Sequence, residues 1–177
     1  SVLDVGTGAG FPGIPIKILA PEIRLALLEA TRKKTDFLRE VATKLDIKQI
    51  EVINERAEIS AHSIEMREKY DFVLARAVGS LSTVSELSLP FCRVGGHVVA
   101  FKKGPPSNMQ SELVAASEAM GILGGELLQM QKIPLPIFND GRLLVIIKKV
   151  AKTPPTFPRR PGRPARTPIG QSGRKQP

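Results

Sequence analysis

Short apolar runs alternate with longer segments of helical period along most of this chain, and that alternation limits the possible folds more than any other feature. Strand candidates are residues 2–5, 24–28, 50–54, 71–75, 97–102, 127–133 and 143–149. Residues 31–45 set Phe37, Leu38, Val41, Ala42 and Leu45 on one helical face, and residues 111–123 do the same with Leu113, Val114, Ala116 and Met120. Residues 80–93 form a third helix candidate, weakened near its end by Pro90. Strand, helix, strand in alternation requires right-handed crossovers and parallel pairing. The last two strands are instead joined by "PLPIFNDGR", with an Asp140-Gly141 turn and no helix, so they should pair antiparallel. The expectation is an α/β fold: a seven-stranded, mostly parallel sheet with an antiparallel C-terminal hairpin and helices on both faces.

A length of 177 residues with 42% hydrophobic content suits one domain, placed at residues 1–150. No run reaches the roughly 18 apolar residues needed to cross a membrane, and no signal-peptide pattern is present. Cys92 is the one cysteine, and His62 and His97 stand far apart without ligand spacing. A cytosolic, metal-free monomer is the expectation. Charge is uneven. Seven of the 26 Lys and Arg and none of the 17 acids fall in residues 151–177, so that segment carries +7 and the rest of the chain +2. Seven prolines between Pro154 and Pro177 argue against helix or sheet there, and an extended or disordered tail is expected. Its charge suits a polyanion such as RNA better than a single phosphate, or else serves only solubility. The first strand begins almost at Ser1, and in this architecture that strand lies mid-sheet, so a preceding segment is expected in the full protein.

In a doubly wound sheet, ligands sit at the carboxyl ends of the strands where the order reverses. The loop after the first strand, "DVGTGAGFPG", lies there. Gly6, Gly8 and Gly10 permit a tight turn that exposes N–H groups near a helix start. Residues 8–13 also fit G-x-G-x-x-G, but Pro12 and Pro15 remove donors a pyrophosphate would want, and Asp4 would repel one. Asp4 would welcome an ammonium. S-adenosylmethionine, with its amino-acid end, ribose and adenine, fits better than a dinucleotide. Glu29, 23 positions beyond Gly6, suits the two ribose hydroxyls, or alternatively caps the helix that follows Thr31. In the loop "NERAE", Ala57 and Glu58 can offer the adenine an N–H and a carboxylate, unless that loop is simply solvated.

The fourth strand ends in "VLARAVGSL", the position that faces the transferred methyl in such folds. The D/N-P-P-F/Y run of amino-methylating enzymes is absent, and Cys92 lies in a helix candidate without the preceding proline that pyrimidine C5 chemistry usually has. Guanine N7 needs neither nucleophile nor base, because its lone pair is exposed and carries no proton. Arg76 could orient a guanine edge, or could instead pair with a sheet-edge acid. Lys102 and Lys103 read as phosphate contacts on the same rim, or as a solvated strand end.

The blocks "LDVGTGAGFPGIPIKI", "LLEATRKKTDFLREV", "ERAE", "DFVLARAVGSLSTVSEL", "VAFKKG" and "GRLLVIIKK", in this order, resemble the bacterial small-subunit ribosomal RNA methyltransferase G family, also called glucose-inhibited division protein B. The likeness runs from Val2 to about Gly170, and the tail "TPPTFPRRPGRPARTPIG" is similar to the Pro-rich basic ends of family members. It implies a Rossmann-like class I S-adenosylmethionine-dependent fold and methyl transfer to N7 of one guanosine in 16S rRNA. By position it implies cofactor contacts at Gly6, Phe11, the Glu29-Ala30-Thr31 turn, Ala57 with Glu58, and Arg76. Arg56, Arg76 and Lys102 are the matched basic positions nearest the expected RNA site. Family members also carry an N-terminal helical extension, which this sequence lacks. Two other readings stay open: a methyltransferase acting on another RNA or a small molecule, and a cofactor-binding sensor without chemistry.

Overall fold

In the computed structural model, which describes residues 1–104, 106–133 and 141–170, seven strands form one sheet. In chain order they are β1 (Val2–Val5), β2 (Leu25–Glu29), β3 (Ile50–Asn54), β4 (Tyr70–Arg76), β5 (Cys92–Lys102), β6 (Gly125–Lys132) and β7 (Leu143–Lys149). The spatial order is β3-β2-β1-β4-β5-β7-β6. β3, β2, β1, β4 and β5 pair parallel, and β7 runs antiparallel to both β5 and β6. The strand order therefore reverses between β1 and β4, the third and fourth of the seven strands, with β4 at the centre. The connection expected to turn at Asp140-Gly141 falls mainly in residues 134–140, outside the described residues.

The six helices of the described residues are α1 (Gly13–Leu19), α2 (Arg32–Lys44), α3 (Ala57–Ser60), α4 (Leu81–Ser88), α5 (Pro106–Ile122) and α6 (Arg163–Arg166). Side chains alternate across each strand, so one sequence feeds two cores. Leu3, Val5, Ala26, Leu28, Val73, Ala75, Val98 and Ala100 face α4 and α5, where Leu81, Val84, Leu113 and Ala116 complete the larger cluster. Val2, Leu25, Leu27 and Leu74 face the other way, onto Ile14 of α1 and Leu38 of α2. Full burial of a leucine such as Leu27 or Leu38 stabilises by about 2 kcal/mol, and truncation to alanine costs about 2–5 because a cavity remains.

Three expectations are corrected. Pro90 ends α4 earlier than residue 93, and Cys92 opens β5 instead of lying in a helix. The "NERAE" loop winds into the single turn α3. The proline-rich segment is not free: residues 151–170 pack on the domain as an ordered strap, Phe157 and Ile169 join the larger core, and α6 forms within it. Proline has no N–H to satisfy, so a chain can lie against a surface with its carbonyls alone answered by side chains. Arg67 answers three of them, at Thr153 (2.9 Å), Pro154 (3.0 Å) and Phe157 (2.9 Å). Residues 171–177 lie outside the description.

Candidate functional site

The site is assembled at the carboxyl ends of β1 to β5. After β1 the chain turns through Gly6 (φ +64°) and Gly8 (φ +63°), a left-handed conformation that disfavours every side-chain-bearing residue. The loop is drawn onto Asp4, whose Oδ2 accepts from Thr7 Oγ1 at 2.7 Å and from the Gly13 amide at 2.9 Å. Asp4 is fully buried and its Oδ1 has no partner. Burial pushes its carboxyl up to about 6, against the hydrogen bonds from Thr7 and Gly13 and the charge of Arg76. Asp4 therefore shapes the loop from beneath, a role its position in sequence does not reveal.

Glu29, at the end of β2, is nearly buried. Its Oε2 accepts from the Gly8 amide at 3.1 Å and its Oε1 from the Thr31 amide at 2.9 Å, with Lys34 Nζ 3.7 Å away. One carboxylate thus ties the glycine loop to the turn into α2, and it still has free lone pairs. Burial alone would raise its pKa, but the Thr31 and Gly8 hydrogen bonds and Lys34 outweigh it, and the carboxyl titrates below its ordinary value. Ala30 and Thr31 are exposed beside it. Asn54, at the end of the strand candidate 50–54 and with no role assigned from sequence, donates to the carbonyls of Glu29 (3.1 Å) and Ala30 (3.1 Å) and fixes this turn from β3.

Beyond β3, Ala57 is half-buried and Glu58 nearly buried at the start of α3. Glu58 Oε1 accepts from Arg56 Nη2 at 2.8 Å and from the Gly162 amide at 2.8 Å. Burial raises the Glu58 carboxyl less than Arg56 and Gly162 lower it. Arg56, expected to face RNA, is half-exposed and ion-paired with Glu58.

At the end of β4, Arg76 is exposed and its guanidinium carbon stands 5.6 Å from the centroid of the Phe11 ring, itself 50% exposed. Arg76 pairs in register with Phe101 of β5 and has no side-chain acid partner, so the sheet-edge ion pair does not form among the described residues. The next residue, Ala77, sits at φ +58°, a strained position for a non-glycine residue and one that clusters at functional sites. Phe11 and Arg76 line a cleft of about 900 Å³ together with Ala77, Gly79, Phe101, Lys102 and Lys103.

Lys102 departs from its expected role. It is 15% exposed, and its Nζ donates to Glu112 Oε1 at 2.6 Å and to the Gly79 carbonyl at 3.0 Å. The same Glu112 oxygen accepts the Leu81 amide at 2.6 Å, so Lys102 clamps the β4–α4 loop instead of reaching out as a phosphate contact. Lys103 is exposed. Glu112 carried no signal in the sequence, because its partners are Leu81, 31 positions away, and Lys102 on β5, which only the folded sheet brings against α5. Cys92 is buried and its thiol is pushed up to about 12 by burial, so it supplies no thiolate.

Solved structures share this architecture. The TYW2 protein of M. jannaschii, in complex with AdoMet, aligns with a TM-score of 0.65 at 14% identity, covering 84% of this chain and 68% of that one. An rRNA methylase from Streptococcus thermophilus aligns with a TM-score of 0.57 at 16% identity, covering 85% of this chain and 86% of that one. The strand order, the reversed β7 and the glycine loop after β1 define a class I S-adenosylmethionine-dependent methyltransferase fold. At the level of sequence, the family model GidB, rRNA small subunit methyltransferase G, matches residues 1–137. The Ribosomal RNA small subunit methyltransferase G of Dehalococcoides mccartyi is 48% identical over 168 residues, which are 95% of this chain and 70% of that protein. The chain belongs to the GidB family.

Proposed function

We propose that the chain transfers a methyl group from S-adenosylmethionine to N7 of a guanosine in 16S rRNA. The observation that carries this reading is the apposition of Arg76 and Phe11 at the point where the glycine loop meets the cleft, in a chain of this family. The cofactor fits the strand ends. Asp4 Oδ1 is a buried acceptor without a partner beneath the loop, suited to an ammonium directly above or through water. A Cβ on Gly8 would meet open space, which leaves the loop backbone clear for a ligand. Glu29 would take the ribose hydroxyls, and Ala57 with Glu58 the adenine edge, one strand further along the sheet at each step.

When bound, the sulfonium supplies an electrophilic methyl. The chain's own part is to align and desolvate the acceptor. N7 carries no proton, so no base is required, in keeping with a site that offers no thiolate. Arg76, with its guanidinium beside the Phe11 ring, would hold the guanine edge and would have to leave N7 itself to the incoming methyl. Lys102 keeps the strained Ala77–Gly79 segment in place beneath it. Lys103 at the rim and the outward arginines of the strap, Arg160, Arg163 and Arg166, are the exposed cations suited to the phosphate backbone.

The test is transfer of labelled methyl from S-adenosylmethionine into unmodified small-subunit rRNA, with Glu29→Ala as control. Incorporation into RNA that the variant loses supports the reading. Tight cofactor binding with no label in any RNA would replace it with a sensor.

A further inference from the structure

Glu58 is not held in place by its own helix. α3 is a single turn, too short to fix a side chain through packing. One of the two donors on Glu58 Oε1 is Arg56, and the other is the Gly162 amide, 104 positions along the chain. That amide is available because the strap turns there with Gly162 at φ +81°. The turn is pinned on both sides. Before it, Arg159 grips the fully buried Glu86 with Nε (2.8 Å), Nη2 (2.6 Å) and its backbone amide (2.8 Å). After it, the buried Pro164 offers its carbonyl to Thr83 Oγ1 at 3.1 Å. A His62 ring nitrogen lies 2.9 Å from the Pro158 carbonyl on the approach. A buried carboxylate such as Glu86 requires a partner, and a bidentate arginine gives that pairing a fixed geometry.

These contacts have a consequence for ligand recognition. Two donors on Oε1 fix the plane of the Glu58 carboxylate and commit one oxygen, leaving Oε2 as the acceptor that can point at a ligand. A free carboxylate would sample several rotamers and read no exocyclic group reliably. Distinguishing a 6-amino from a 6-oxo purine needs an acceptor held in one place, since a misplaced or unpaired polar group is what penalises the wrong base.

We infer that residues 159–164 are a positioning element of the cofactor site, whose Gly162 amide orients Glu58 and so sets selectivity for an adenine-bearing ligand. The inference rests on the proposal that Glu58 faces the adenine. It assigns the proline-rich segment a part in cofactor recognition besides any contact with RNA.

Calorimetric titration of the whole chain with S-adenosylhomocysteine and with S-inosylhomocysteine, which carries a 6-oxo group, provides the test. The ratio of the two affinities does not depend on how much of a variant is folded. The unaltered chain should prefer the amino compound by about tenfold or more, and Glu58→Ala should abolish that preference. Gly162→Pro, which removes the amide donor and cannot keep the turn at φ +81°, should bring the ratio down at least threefold (about 0.7 kcal/mol) and leave S-inosylhomocysteine affinity nearly unchanged. Gly162→Ala, which keeps the donor at a strained left-handed φ, should lower the ratio less than Gly162→Pro. Should Gly162→Pro fail to fold, Arg159→Lys, which leaves a cation on Glu86 without the fork, should lower the ratio in the same direction. A preference lost in Glu58→Ala but intact in the strap variants, or an equal weakening of both ligands in those variants, overturns the inference and leaves the role of Glu58 standing. No preference in the unaltered chain, or one that survives Glu58→Ala, overturns the adenine role itself and the inference with it.

Discussion

The amide of Gly8 donates to Oε2 of Glu29 at 3.1 Å, tying the loop after β1 to the end of β2. One carboxylate therefore holds the loop, caps the turn into α2 through Thr31, and presents its remaining lone pairs to whatever lies above. Glu29→Ala removes all three at once. S-adenosylhomocysteine affinity should fall by roughly 10- to 100-fold, the loss expected for charge-assisted hydrogen bonds worth about 1.5–3 kcal/mol. Calorimetry checks this, and an unchanged affinity removes Glu29 from the site.

Arg76 is exposed and touches Phe11 rather than an acid, so its loss should leave the fold nearly intact. Surface substitutions of this kind shift stability by about 0.5 kcal/mol or less. Arg76→Ala should nevertheless reduce the methyl-transfer rate by about tenfold or more, because alignment of the acceptor is lost. A lowered melting temperature with the rate per folded molecule unchanged would make Arg76 a structural residue.

Asp4 couples stability to pH in an unusual direction. Its carboxyl is raised from an ordinary 3.8 to about 6 by burial, so between those values the folded chain holds a proton that the unfolded chain releases. Stability from this group is therefore full below about pH 4 and is lost as pH rises through 6. Asp4→Asn removes the penalty and should raise the melting temperature at pH 7.5, by at most about 3 kcal/mol in stability. The same change should weaken S-adenosylmethionine binding and flatten the fall in affinity that the unaltered chain shows as pH drops below 6. Destabilisation together with unchanged binding would contradict this account of Asp4.

Lys102 and the strap arginines separate clamping from RNA contact. Lys102→Ala breaks a largely buried pair with Glu112 and should cost about 1–2 kcal/mol, seen as a drop in melting temperature. It should leave the salt dependence of RNA binding unaltered. Replacing Arg160, Arg163 and Arg166 together by alanine should do the reverse, reducing the slope of log affinity against log salt by about 2–3 with little change in melting temperature. Identical slopes in the triple variant and the unaltered chain would leave the strap without a role in RNA binding.

Much of this was legible in the sequence. Period-2 and period-3.6 patterns are local, so the strands and α2 could be read from apolar spacing, and the antiparallel C-terminal pair from a connection too short for a helix. The glycine loop was legible because glycines suit turns that other residues avoid, and the position of Glu29 because an acid there directly ends a predicted strand. Phe11 was not, since a half-exposed aromatic beside a helix reads as core and only the family resemblance singled it out. The largest miss was the strap. Proline density argues against regular structure, but it says nothing about docking through carbonyls, and the donors from Arg67, His62 and Thr83 lie some 80 to 100 positions away. Lys102 misled for a related reason: its acid, Glu112, lies on a helix whose facing could not be known before the sheet was assembled.

The most direct measurement is mass spectrometry of nucleosides from unmodified 16S rRNA after incubation with the protein and isotopically labelled S-adenosylmethionine. Label recovered as 7-methylguanosine, and lost with Arg76→Ala, is the predicted result. Label on any other nucleoside, or 7-methylguanosine formed equally well without Arg76, would contradict it.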